Sequence, residues 1–457
     1  MSRALLSGSI AVAMLGIALV FAPVALASPR AVGSGPADAA QAPEGVLVRA
    51  SDLRVTLSRL LGEHAYLAMQ AMRTGVVGGA DFAAAAEALE ANTVDLVELI
   101  SSVYGEDGGE HFGELWRSHL GYVVDYAVGV AANDQAAMDT ALAGLSRYEA
   151  DLVAFLSAAN PYLVEAETAS MLGEHVSLLT QLADVAEVDY EATYATARAT
   201  YGHMFHLGKV LAAAIARQFP DQIPGARLAA SPAIELRVTL DRLLGEHALL
   251  SVEAMRGAAA GRADADAARA ALDSNSADLS AAIAGIYGEE SGVAFRQLWD
   301  RHLVAYLEYI AAIQGGDAIA SEAARDAVLD ISHLSALLST AIPSLDRAAV
   351  ESLVRQHVQH LVAQVDAYEA GDFSTAYSIG REAFVHSQVM SDVLAIAIAE
   401  QFPDIFPPLP DSSVGGAGGG TQPSPASSPS TYMAVLTVAA LIAWMMTVSV
   451  RSKTGRK

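Results

Sequence analysis

Eight histidines in this sequence have the residue type and the spacing that could support chemistry. Four fall in each half of the chain: His64, His119, His175 and His203, and then His247, His302, His357 and His386. They stand three or four residues from apolar neighbours, as His64 does between Leu60 and Leu67. This spacing places them on the buried face of an amphipathic helix. Four buried imidazoles per half would each lose hydration, which indicates a metal or haem site or a hydrogen-bonded polar layer.

The chain is a tandem duplication. LRVTLSRLLGEHAYLAMQAMR at Leu53–Arg73 returns as LRVTLDRLLGEHALLSVEAMR at Leu236–Arg256, with 16 of 21 positions identical. The offset of 182–183 residues also relates Trp116 to Trp299. We therefore treat the two halves as repeats of one unit.

Turn signals divide each repeat into helical stretches. In the first repeat they include TGVVGGA at Thr74–Ala80, GEDGG at Gly105–Gly109 and Asn160-Pro161. The stretches between them are rich in Ala and apolar at spacings of three and four. The predicted fold class is all-α, with two tandem six-helix antiparallel bundles at residues 50–222 and 232–405, joined by a linker at 223–231. Whether the six helices of a repeat form one bundle or two is left open.

The spacing of the histidines predicts that they meet at one level of the bundle. Residues equidistant from a turn face each other in an antiparallel hairpin, and the layer positions of the first repeat follow one another at steps of 28, 27, 28, 28 and 28. The series in each repeat is His64, Asn92, His119, Arg147, His175 and His203, then His247, Asn275, His302, Asp330, His357 and His386. We expect the four histidines of each repeat to converge there as metal ligands.

Other polar side chains accompany this layer. Asn92 and Asn275 belong to it, and Asp95 and Asp278 lie one helical turn further on the same face, so these four are candidate acceptors for the ligands' N–H groups. Glu63 and Glu246 directly precede layer histidines. A step of one residue rotates by about 100°, so we expect these glutamates on the flank of the layer.

Composition limits the chemistry. There is no cysteine, which excludes disulfides, thiolate sites and iron–sulfur clusters. A net charge of −25 argues against nucleic acid as a partner. Imidazole ligands without thiolate favour copper or zinc. A b-type haem would need two axial histidines and a wide apolar slot.

The two ends of the chain predict a membrane-tethered protein. Residues 1–27 read as a signal peptide, and 28–49 as a flexible lead-in. Residues 406–430 form a Pro/Gly/Ser linker, and 431–450 are an uncharged stretch that is long enough to span a bilayer as a helix. The basic tail at 451–457 predicts a cytoplasmic C-terminus, so the repeats would lie outside the cell membrane.

Short motifs carry one resemblance. FLSAANP at Phe155–Pro161, together with the QFPD that ends each repeat, resembles uncharacterised secreted or membrane-anchored all-helical bacterial domains. The second repeat departs from the pattern and has LLSTAIP at Leu337–Pro343. The resemblance implies no activity.

Three function classes follow from these observations. The first is an extracytoplasmic protein that binds a metal ion (copper or zinc) or haem b in each repeat. The second is a non-catalytic interaction or spacer module, in which the histidine layer is a structural polar network. An enzyme is the third. It would need an open coordination position and a substrate cleft, and four histidines would saturate a metal.

Overall fold

The computed structural model describes residues 49–225 and 228–407. Over these residues the chain is all-helical, as predicted, with thirteen α-helices. The first repeat contains α1 (Ala50–Val76), α2 (Phe82–Tyr104), α3 (Glu106–Ala132), α4 (Gln135–Ala159), α5 (Glu165–Val185) and α6 (Tyr190–Gln218). The second contains α7 (Pro232–Ala259), α8 (Ala265–Tyr287), α9 (Glu289–Gly315), α10 (Ala318–Leu329), α11 (Ser332–Ala341), α12 (Arg347–Glu369) and α13 (Phe373–Gln401).

Several predicted segments lie outside the described residues. They are the signal peptide, the lead-in up to residue 48, the linker from residue 408, the span at 431–450 and the basic tail. Their assignments stay predictions.

Glycine sets the sharpest junction in each repeat. Gly105 alone separates α2 from α3, with φ of 82°, and Gly288 separates α8 from α9, with φ of 88°. A backbone in this region is adopted at little cost only by glycine. The GEDGG turn signal therefore reflects a specific backbone requirement that both repeats share.

The second repeat differs from the predicted six helices. Its fourth helical segment is broken into α10 and α11, whereas α4 runs unbroken through the equivalent position, Arg147. At the break, the Asp330 carboxylate accepts a hydrogen bond from the backbone N–H of Ser332 at 3.2 Å. A short acidic side chain in this position competes with helix continuation and favours a new helix start. The prediction of six helices was wrong for this repeat.

The repeats are not two separate bundles, which corrects the predicted architecture. One hydrophobic core cluster contains Leu61 and Tyr66 of the first repeat together with Leu250 and Phe384 of the second. The described residues belong to one compact unit. Helices α1 and α7 are buried on all faces along their central turns, as expected for helices inside a larger core.

A pseudo-twofold relationship joins the repeats. Gln70 and Glu253 are equivalent positions, and they contact each other directly, with Nε2 to Oε1 at 2.7 Å. Such self-pairing of equivalent positions is typical of an isologous interface. Helix α6 packs on α1 and also reaches α8, while α13 packs on α7 and also reaches α2. The last helix of each repeat therefore packs against helices of both repeats.

One described helix, α13, is long and apolar enough to cross a membrane. Core helices of soluble proteins can have the same length and apolar composition. Helix α13 packs against α7 and α12 and carries Arg381. We treat it as a core helix.

Candidate metal centres

Three histidines of the first repeat converge in the core. His64 comes from α1, His119 from α3 and His175 from α5, and all three are 0% exposed. One ring nitrogen of each lies within 4.8 Å of those of the others, and the Nε2 atoms of His64 and His119 are 3.4 Å apart. Two nitrogens bound to one tetrahedral metal at 2.0–2.1 Å are separated by about 3.4 Å. We call these three residues the first triad.

The second repeat repeats the arrangement. His247 of α7, His302 of α9 and His357 of α12 also place one ring nitrogen each within 4.8 Å of the others. His247 and His357 are buried, while His302 is only partly buried. We call these residues the second triad.

The fourth predicted histidine of each repeat lies beside its triad. His203 directs Nε2 to the carbonyl oxygen of Met171 at 3.1 Å, and His386 directs Nε2 to that of Leu353 at 2.8 Å. Each carbonyl lies one helical turn before a triad residue, His175 or His357. The structure therefore brings three of the four histidines together in each repeat, and the fourth is engaged by the backbone.

Aromatic rings close one side of each triad. The indole of Trp116 lies 4.8 Å from His64 and 4.7 Å from His119, between ring centroids. Trp299 takes the same place, 4.6 Å from His247. Both tryptophans are buried. A second aromatic residue, a tyrosine, also packs against each triad, but it comes from a different helix in each repeat.

Tyr148 of α4 stacks on His119 at 4.7 Å, whereas Tyr306 of α9 packs edge-on against His302 at 4.7 Å. Both tyrosine hydroxyls are buried without a hydrogen-bond partner in the described structure. The two centres thus share a histidine triad and a tryptophan, but each has its own tyrosine.

Many ring nitrogens of the triads also lack a hydrogen-bond partner among the described residues. These atoms are Nδ1 of His64, and both nitrogens of His175, His247 and His357. A buried polar group without a partner costs about 1–3 kcal/mol. A self-contained hydrogen-bonded layer would have satisfied these atoms.

Burial also fixes the charge of the triads. Desolvation lowers the pKa of His119 to about 3 and that of His247 to about 3. The pKa of His302 falls to about 4 for the same reason. Desolvation, followed by repulsion from the neighbouring histidines, lowers the pKa of His64 and His175 well below the ordinary value. At neutral pH the imidazoles are therefore uncharged, which is the form that binds metals.

The four polar side chains expected to support the ligands have other partners. Asn92 donates Nδ2 to the carbonyl of Leu60 at 3.0 Å and to Glu63 at 2.8 Å, and Asn275 bonds its equivalents in the same way. Asp95 accepts a hydrogen bond from Arg381 at 2.7 Å. Asp278 accepts one from Arg198 at 2.6 Å. The two aspartates therefore connect the repeats, whereas the two asparagines bond within their own repeat.

Sequence reasoning placed Glu63 and Glu246 on the flank of the layer but did not identify their partners. Both are 1% exposed, because each forms a two-point ion pair with an arginine of the opposite repeat. The arginines are Arg381 and Arg198, which are equivalent positions. A signal was present, since LLGEH is identical in both repeats. A single repeat could not reveal the partner, which comes from the other one.

Cavities adjoin both centres. An apolar cavity of about 40 Å³ lies against Trp116 in the first repeat. In the second, a cavity of about 190 Å³ is lined by Tyr306, Ser251 and Asp300 among others. The larger of these two cavities lies beside the second centre, and no triad histidine lines either of them.

Comparison with known proteins gives no further guide: no family model, curated protein or solved structure matches this chain.

Proposed function

We propose that this protein binds one transition-metal ion in each repeat through the two histidine triads. The observation that carries the proposal is the convergence of three buried imidazoles whose ring nitrogens lie within 4.8 Å of one another and mostly lack other partners. A metal ion would take neutral ring nitrogens at a geometry close to the one present. The absence of cysteine and of carboxylates in the triads favours copper or zinc.

A single ion fits the site better than haem. A b-type haem needs an open slot between two axial ligands. In the first repeat, Trp116 and Tyr148 pack against the triad, and the adjoining cavity has a volume of about 40 Å³. Pockets for ligands of that class measure about 300–1,000 Å³. Haem is therefore our second choice of cofactor.

If the histidine layer were only a structural polar network, its buried ring nitrogens should have hydrogen-bond partners within the protein. His175 is 0% exposed, and neither of its ring nitrogens has a hydrogen-bond partner among the described residues. A layer that only fixed helix register would gain more from an apolar side chain at this position. This observation favours ligand binding over a spacer module.

The test is metal analysis of the purified protein with matched variants. Changing His119 and His175 to Ala should remove one of two bound ions, and changing His302 and His357 to Ala should remove the other. Exposed His111 changed to Ala is the control and should keep both. Retention of two ions by both double variants, or no ion in the parent protein, would refute the proposal.

An open coordination position is a second candidate feature, and it is favoured only in the second repeat. His302 is partly exposed there, and Tyr306, which packs against His302, lines the cavity of about 190 Å³. A small anion such as azide should therefore perturb the electron paramagnetic resonance spectrum of copper(II) at the second centre. If azide perturbs both centres equally, this distinction is wrong.

The membrane tether belongs to the same proposal. The signal peptide and the span at 431–450 support an ectodomain outside the membrane, connected through the linker that ends at residue 430. Protease added to intact cells should release the two repeats as one soluble fragment by cutting in this linker. A fully protected ectodomain on accessible cells would count against the orientation.

A further inference from the structure

The hydrogen bond of His203 fixes which of its nitrogens is free. Its Nε2 lies 3.1 Å from the carbonyl oxygen of Met171. A carbonyl can only accept, so Nε2 carries the proton. In neutral imidazole Nδ1 is then a lone-pair acceptor.

That lone pair faces a carboxylate. Nδ1 of His203 is 3.6 Å from Oε2 of Glu174. The Glu174 side chain is 64% exposed, whereas that of His203 is 6% exposed. With His203 neutral, both atoms are acceptors, and a cation between them would bind both. The separation is near the roughly 3.4 Å expected for two ligands on one metal.

This pair leads directly to the first triad. The ring of His203 stacks on that of His175, with centroids 6.3 Å apart and planes inclined by 6°. Glu174, His203 and His175 therefore form a path from solvent to a centre whose three histidines are fully buried.

The second repeat builds the same path from different positions. Nδ1 of His360 lies 3.7 Å from Oε2 of Glu382, whose side chain is 59% exposed. The ring of His360 is 5.5 Å from that of His386, which is 6.5 Å from that of His357.

The pair of His360 and Glu382 is not a copy of the pair of His203 and Glu174, although His386 is equivalent to His203. The position equivalent to Glu174 is Gln356, and those equivalent to His360 and Glu382 are Leu178 and Ala199. Inheritance from a common ancestral repeat does not account for an imidazole–carboxylate pair in both places.

We propose that each triad has its own metal-transit site, a weak imidazole–carboxylate site for a divalent cation between solvent and the buried centre. It is formed by Glu174 and His203 in the first repeat, and by Glu382, His360 and His386 in the second. This inference rests on the proposed metal binding at the triads. It assigns His203 and His386 to transfer of the ion rather than to its final coordination.

The experiment measures loading rate and final occupancy separately. The full chain carrying His302→Ala and His357→Ala leaves only the first triad to bind. Copper(II) is mixed with this parent, and quenching of tryptophan fluorescence is followed in a stopped-flow instrument. Occupancy and affinity are then measured by competition with a chelator.

Two variants test the transit site. His203→Phe keeps a stacked ring but removes both nitrogens, and Glu174→Gln changes only an exposed carboxylate. We expect loading to slow at least tenfold for the first variant and several-fold for the second, with one ion still bound at an affinity within about threefold of the parent. Glu167→Gln, an exposed carboxylate on the same helix, is the matched control and should load at the parental rate.

The outcomes separate the two proposals. A parent chain that binds no copper refutes metal binding at the first triad itself. If the parent binds and both variants load at its rate, the transit site is wrong. Loss of stoichiometric binding in His203→Phe would make His203 a final ligand and would also overturn the inference.

Discussion

Glu63 of the first repeat and Arg381 of the second form a two-point ion pair, with both hydrogen bonds at 2.9 Å. Glu63 precedes His64, so this pair connects the turn of α1 that carries a triad histidine to a helix of the other repeat. Arg198 and Glu246 form the equivalent pair beside His247, with both bonds at 3.1 Å. Each triad therefore depends on an arginine from the opposite repeat for the position of its α1 or α7 histidine.

Removal of Arg381 should be costly. Arg381→Met leaves the buried carboxylate of Glu63 without its main partner, and we expect a loss of about 3 kcal/mol in the free energy of unfolding. Denaturant titration of the metal-free protein measures it. The control is Arg117→Met, which breaks an exposed pair with Glu90 and should cost less than about 1 kcal/mol. Equal effects of the two changes would contradict the role given to Arg381.

Replacement of a triad histidine should stabilise the metal-free protein. His175→Leu removes two buried nitrogens without partners, and we expect a gain of about 1 kcal/mol together with loss of metal from the first centre. Unfolding of the metal-free protein measures the change in stability, and metal analysis measures the loss of the ion. Exposed His111→Leu should change stability by less than about 0.5 kcal/mol. A marked loss of stability in His175→Leu would favour the structural polar network instead.

The metal-free protein should lose stability as pH falls from 6.5. The pKa of His119 and His247 is about 3 in the fold against an ordinary value of 6.5, so between these pH values the unfolded chain binds protons that the folded chain does not. The slope is at most about 1.4 kcal/mol per pH unit for each histidine.

Unfolding is measured between pH 6.5 and 5, where most carboxylates stay ionised, and comparison with a variant separates the contribution of these two histidines from that of the other buried groups. The double variant His119→Asn, His247→Asn should show a shallower pH dependence than the parent. An unchanged slope would mean that these two histidines are not held neutral.

Two glycines of α6 should respond in opposite directions to alanine. A Cβ at Gly208 would lie 2.9 Å from the backbone N and Cα of Ser58, so Gly208→Ala should separate α6 from α1 and cost about 2 kcal/mol. A Cβ at Gly202 meets nothing within 4 Å, and Gly202→Ala should stabilise the protein by about 0.5–1 kcal/mol. Thermal and denaturant unfolding of the two variants test the close contact of these helices. Similar effects of both would show that α1 and α6 can readily move apart.

The sequence by itself determined the duplication, the helices and the level at which the histidines lie. Apolar spacing of three and four residues identifies the buried face of a helix, and the nearly constant step of 28 residues sets a common height. Both are local or periodic properties. They were sufficient to select His64, His119 and His175 as residues that meet, as well as their equivalents in the second repeat.

Only the tertiary structure decided the partners of the remaining polar groups. Height in a bundle does not fix which way a side chain turns when a backbone carbonyl competes for it, as the carbonyl of Met171 does for His203. Nor does a repeat contain the information that Glu63 is matched by Arg381, 318 residues away. Burial of a charge depends on its counter-charge, and here the counter-charge comes from the other repeat, which a pattern read along one helix cannot show.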